Sequence, residues 1–162
     1  MGMDIHLNII HGNEIIAKEI FDGRNTNWFN KLKDVNEGVY EKLPIEYGTP
    51  EDAPQEIKDL EEEGPSYFGF RYIKVGDFKN WFRKYKPNVD AGWATTYEKW
   101  LIENKGYEPE ELPHELPEDA NLNDIHFIEY KSNYDDCSEW LYDYLIDNQI
   151  SDNYTITYAF DW

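Results

Sequence analysis

The stretch Met3-Asp4-Ile5-His6-Leu7-Asn8-Ile9-Ile10 decides the fold, because Met3, Ile5, Leu7 and Ile9 alternate with Asp4, His6 and Asn8 at the two-residue period of a half-buried strand. One face of such a strand is core and the other is polar. The polar face opens Asp-Ile-His. The same tripeptide returns at Asp124-Ile125-His126, heading a second apolar run of Ile125, Phe127, Ile128 and Tyr130. Both runs read as strands, and together as the centre of a sheet.

Working outward, His11-Gly12-Asn13 turns the first strand back through Glu14 to Phe21 as a hairpin. Asn25 or Thr26 caps a short helix that carries Trp28, Phe29 and Leu32 and ends near Val35. Residues 36–66 are broken by Gly38, Pro44, Gly48, Pro50, Pro54, Gly64 and Pro65. They read as a surface excursion, with one short acidic helix over Pro54 to Glu62. Tyr67 to Val75 reads as a strand. It is followed by a helix whose Phe78, Trp81, Phe82 and Tyr85 repeat at helical spacing until Lys86-Pro87 stops it. Lys79, Arg83 and Lys84 fall off that stripe, on the solvent side. Asp90 is expected to open a further helix with Trp93, Tyr97, Trp100 and Leu101 as a core stripe and Gly106 as its stop.

Residues 107–121, with Pro109, Pro113 and Pro117 among acids, read as a second, solvated excursion. The last third gives a strand to Tyr130, a helix capped by Asp136 with Glu139 three residues on, and a closing strand over Tyr154 to Phe160. Cys137, Trp140, Leu141, Tyr144 and Leu145 form the expected buried stripe of that helix. The pattern implies α+β: one domain over residues 1–162, with a mixed or antiparallel sheet of about five strands, three to four covering helices and long surface loops.

The chain of 162 residues carries 34 Asp and Glu against 15 Lys and Arg, a net charge of −19. That balance repels nucleic acid and anionic membranes and favours a basic protein partner, although acidity also serves plain solubility. Charge is uneven: Arg71 to Lys86 holds six basic residues and one acid, a balance of +5, which leaves −24 on the remainder. Cys137 is the sole cysteine, so no intrachain disulfide and no cysteine metal cluster forms, as suits a cytoplasmic protein. No run of eighteen apolar residues and no basic-then-apolar leader is present, so neither a membrane span nor secretion is expected.

Residues two apart on a strand share a face, so Asp4/His6 and Asp124/His126 each present a carboxylate beside an imidazole. If the two strands pair, four ligands converge on a set suited to a divalent transition metal that activates water for hydrolysis. Against this, a three-residue echo arises easily by chance. The 2H phosphoesterase pattern fails, because Asn8 and Ile128 stand where its hydroxyl residue belongs. Arg24 and Asn25, in the turn before the first helix, form an anion-binding candidate, unless Arg24 clamps a neighbouring carboxylate.

The opening M-G-M-D-I-H, followed by G-R-N and an aromatic short helix, resembles uncharacterised bacteriophage and prophage proteins that begin M-G-x-D-I-H. The likeness spans residues 1–33. It aligns Asp4, His6, Arg24 and Asn25 with recurring positions, implies a mobile-element origin and carries no activity with it. Two functions follow from the whole reading. One is an acidic, non-enzymatic binding protein, phage-encoded, that occupies a basic or nucleic-acid-binding face of a host defence protein without cofactor or direct contact with nucleic acid or membrane. The alternative is a small metal-dependent hydrolase or nucleotide-binding protein using the two Asp-x-His faces.

Overall fold

A computed structural model describes residues 4–32, 43–63, 67–132 and 137–161 of the chain. In chain order the elements are β1 (Asp4–His11), β2 (Glu14–Arg24), α1 (Thr26–Leu32), β3 (Glu46–Tyr47), α2 (Gln55–Glu63), β4 (Tyr67–Lys74), α3 (Val75–Tyr85), β5 (Val89–Thr95), α4 (Thr96–Lys105), β6 (Ile125–Lys131), α5 (Ser138–Asp147) and β7 (Thr155–Asp161). The fold is α+β, and every strand pairing among the described residues is antiparallel. Two compact units divide the chain, one of residues 1–86 with 136–162 and one of residues 87–135.

The first unit is a five-stranded sheet in the order β2-β1-β7-β4-β3. The hairpin forms where turn chemistry puts it, since Gly12 takes the left-handed φ of 56° that a tight connection needs. Alternation then sorts β1 into two faces. Ile5, Leu7 and Ile9 enter a core with Trp28 of α1, Phe78 and Trp81 of α3, Leu141 and Leu145 of α5, and Ile156, Tyr158 and Phe160 of β7. Each fully buried large apolar side chain contributes about 1.5–3 kcal/mol. The second face is not simply solvent-facing, because Ile10 and Ile15 at its hairpin end are covered by Ala53 and by Ile57 of α2. Its other end, around His6, carries polar residues.

α2 spans Gln55–Glu63, at the expected acidic helix within the first excursion. Asp136, the expected cap of α5, and Val35, the expected end of α1, lie outside the described residues; α1 runs to Leu32. Trp140 is 41% exposed, so the buried side of α5 rests on Leu141 and Leu145. Lys79 is also placed differently from its expected solvent position. It is buried, and its ammonium donates to the Ile150 carbonyl at 3.0 Å and to Asp152 at 2.8 Å. Its charge therefore locks the segment after α5 to α3 and adds nothing to a basic surface.

The second unit holds the two-stranded sheet β5-β6. Here the expected helix from Asp90 is corrected: Val89 to Thr95 is a strand, and the helix begins only at Thr96. Thr95 accepts from the Glu98 N–H while Glu98 accepts from the Thr95 N–H, a reciprocal cap that fixes the start six residues later than periodicity suggests. Leu112 anchors the otherwise irregular residues 107–121 by packing with Ala94 and Tyr130, and its N–H donates to the Tyr130 hydroxyl at 3.2 Å. The approach is so close that a Cβ on Gly92 would stand 2.6 Å from that of Leu112, which is why glycine occupies this strand position.

Candidate functional site

Register and a bulge build the polar end of the second sheet face. β1 pairs His6 with Asp22 on one side and with Ala159 on the other, so the even-numbered side chains of β1 share a face with Asp22, Thr157, Ala159 and Asp161. The β1–β2 ladder shifts register between Leu7 and Ile9, and within the extra residues Glu19 adopts a φ of 45°. Positive φ is costly for glutamate; the Asn8 side chain holds it by accepting the Glu19 N–H at 2.8 Å.

The result is a carboxylate cage around one imidazole. His6 is 8% exposed, with Nε2 at 2.9 Å from an Asp161 oxygen and Nδ1 at 3.5 Å from Asp22 and 4.0 Å from Glu19. The Tyr67 ring meets the imidazole edge-on at 5.2 Å between centroids. Burial, and then the charges of Asp161, Glu19 and Asp22, push the Tyr67 hydroxyl above its ordinary pKa, so it stays protonated at neutral pH. A small open pocket beside this group is lined by His6, Asn8, Glu19, Tyr67, Phe70 and Thr157, among others.

The residues singled out in the sequence fall into separate places. Asp4 and Arg24 meet in an ion pair at 2.5 Å, so Arg24 clamps a strand carboxylate. Asn25 accepts from the Trp28 N–H at 2.9 Å and so caps α1. Asp124 and His126 both engage Thr96 at the start of α4, the carboxylate through the Thr96 N–H and the imidazole through its hydroxyl at 2.9 Å. The two Asp-x-His strands are not neighbours: β1 lies between β2 and β7, while β6 pairs with β5 in another sheet. Among the described residues no group of three or more His, Cys, Asp and Glu side chains is placed to hold a metal ion. Local spacing does not register Glu19, Asp22, Tyr67 and Asp161, the residues that surround His6, as a set.

A second feature belongs to the unit of residues 87–135. α4 buries none of its residues: Tyr97 is 68% exposed and Trp100 46%, so these two rings of the expected core stripe face solvent while Trp93 and Leu101 are half-buried. The two rings stack within 14° of parallel, and the Lys105 ammonium sits 5.5 Å from the Trp100 centroid. Of eleven exposed large hydrophobic residues among those described, seven are in this unit: Val89, Tyr97, Trp100, Tyr107, Leu116, Leu122 and Phe127. Its sequence has twelve acids against three bases, a charge of −9.

Comparison with known proteins finds no family model, no curated protein and no solved structure that matches the chain. No helix among the described residues is long and apolar enough to cross a membrane.

Proposed function

We propose that the chain is an acidic, non-catalytic binding protein that occupies a basic face of a partner protein, the face with which that partner holds nucleic acid. The resemblance of residues 1–33 implies a mobile-element origin, and the setting we propose is that of a phage-encoded inhibitor of a host defence protein. The observation that carries the reading is the exposed ring pair Tyr97/Trp100 on a helix with no buried residue, within a unit of charge −9. Exposed apolar rings amid acids supply both halves of a protein-binding surface: ring burial gives affinity, while carboxylates set the choice of a basic partner and speed its approach.

Immobilised protein exposed to host lysate tests this. The retained partner should be basic, should leave on addition of duplex DNA, and should be lost between roughly 0.1 M and 1 M salt, where the screening length shortens from about 10 Å to about 3 Å. Tyr97→Ala with Trp100→Ala should weaken retention at least about tenfold without lowering the melting temperature, because neither side chain is buried. A partner held equally well at high salt, or by the double variant, overturns the reading.

A further inference from the structure

The cage around His6 sets three carboxylates, those of Asp161, Asp22 and Glu19, about one imidazole. Asp161 only accepts, so the 2.9 Å contact requires the imidazole proton on Nε2. Nδ1, on the other side of the ring, is buried and makes no hydrogen bond, with Asp22 at 3.5 Å and Glu19 at 4.0 Å. Thr157, 4% exposed, lines the same pocket, and its buried hydroxyl oxygen also lacks a partner. The cations on the same strand are committed elsewhere, Arg24 to Asp4 and Lys18 to Glu56. Acceptors aimed at one another repel unless a donor stands between them.

We infer that this pocket binds an organic cation, a guanidinium or primary ammonium group, whose N–H donors bridge the Thr157 hydroxyl oxygen, the Glu19 carboxylate that lines the pocket and the Asp22 carboxylate beside His6. A guanidinium carries five donors and an ammonium three, and neither carries an acceptor. The rings of Tyr67 and Phe70 wall the pocket and suit the flat face of a delocalised cation. A metal ion is the poorer occupant, since it needs ligand atoms gathered at about 2.0–2.6 Å and no set of three side chains among the described residues is so gathered. The site lies in the unit of residues 1–86 with 136–162 and does not rest on the partner reading, which concerns residues 87–135.

Ethylguanidinium chloride serves as the headgroup probe, with sodium chloride at matched ionic strength as control, and the His6 ring nitrogens are followed by 15N NMR. Up to ~10 mM, a range suited to a ligand of so few atoms, the probe should shift the His6 Nδ1 signal saturably. Asp22→Asn with Glu19→Gln should weaken that binding about tenfold while leaving the fold intact, since both carboxylates are about half exposed. Capped Gly-Arg-Gly, against capped Gly-Leu-Gly, separates the sources. Equal affinity for tripeptide and ethylguanidinium identifies a free small cation as sufficient, and a tripeptide at least tenfold tighter identifies an arginine presented on a polypeptide. No saturable shift at His6, an unchanged shift in the double variant, or a response to magnesium or zinc chloride alone overturns the proposal.

Discussion

His6 owes its surroundings to residues that the sequence keeps far apart. Asp161 is 155 positions away, and Asp22 reaches the imidazole only because the hairpin ladder slips. A register running unbroken from His11↔Glu14 would set Glu19 opposite His6; the observed shift sets Asp22 there and keeps Glu19 close as well. Strand alternation makes His6 a polar-face residue legible from sequence, but no local pattern announces a bulge. Asn8 is the residue that sustains it. Asn8→Ala should cost about 1–3 kcal/mol in urea unfolding and move the His6 ring signals, because Glu19 loses the acceptor that offsets its positive φ. Asn8→Asp, which keeps an acceptor oxygen, should recover most of the loss; a silent Asn8→Ala would separate the bulge from that bond.

Lys79 shows the same limit of local reading. Its helical position places it off the aromatic stripe, yet the segment after α5 covers it. The Lys79 ammonium holds the Asp152 carboxyl below its ordinary pKa of 3.8, first by hydrogen bond and then by charge. A depressed carboxyl pKa contributes stability that is present above the ordinary value and lost as pH falls through the lowered one. The melting-temperature difference between the native chain and Asp152→Asn should therefore be steady from neutral pH down to about pH 5 and shrink as pH falls below 3.8 through the lowered value. Lys79→Glu should lower the melting temperature by about 10 °C or more, since it buries a carboxylate facing a carbonyl and Asp152. Retention of native stability by that variant would return Lys79 to the surface.

At the scale of elements, turn and cap chemistry is readable while the competition between periods is not. The hairpin, α2, α3 and the closing strand all follow from apolar spacing with glycine or proline stops. The stripe Trp93, Tyr97, Trp100 and Leu101 satisfies a helical period too, but it straddles the boundary at Thr95. The signal that resolves it is the spacing Thr95-x-x-Glu98, a capping box inside what periodicity treats as one helix. Thr95→Ala should weaken α4 by about 1 kcal/mol. Gly92→Ala should do more, because its Cβ would meet Leu112 side chain and backbone at 2.6–3.0 Å and force residues 112–113 away from β5. Hydrogen exchange of the β5 and β6 amides checks both variants. Equal protection in Gly92→Ala and the native chain would mean that the Leu112 segment yields freely.

At the scale of the whole molecule, charge and composition were legible at once, whereas the division into two units was not, because the boundary carries no linker-like composition. The expectation of one domain over residues 1–162 concerns cooperative folding, and excision tests it. Residues 87–135 leave and rejoin the chain side by side: Val89 pairs with Lys131, and the Ser132 N–H donates to the Asn88 carbonyl at 2.9 Å. α3 and α5 run antiparallel, since Lys79 bonds to Ile150 while Phe82 stacks on Tyr142 at 4.5 Å, so the end of α3 lies near the start of α5. A linker of about six residues therefore suffices to join Lys86 to Cys137. The sheet core that remains is built from residues 5–85 and 137–160, and the small cluster around Ala94, Leu112 and Tyr130 leaves with the excised segment. The shortened chain should unfold in one transition within a few degrees of the native midpoint and bind ethylguanidinium as the native chain does. It should no longer retain a basic partner, because Tyr97 and Trp100 go with the excised residues. An unfolded product would establish one cooperative domain and assign residues 87–135 a structural role that their sparse core does not suggest.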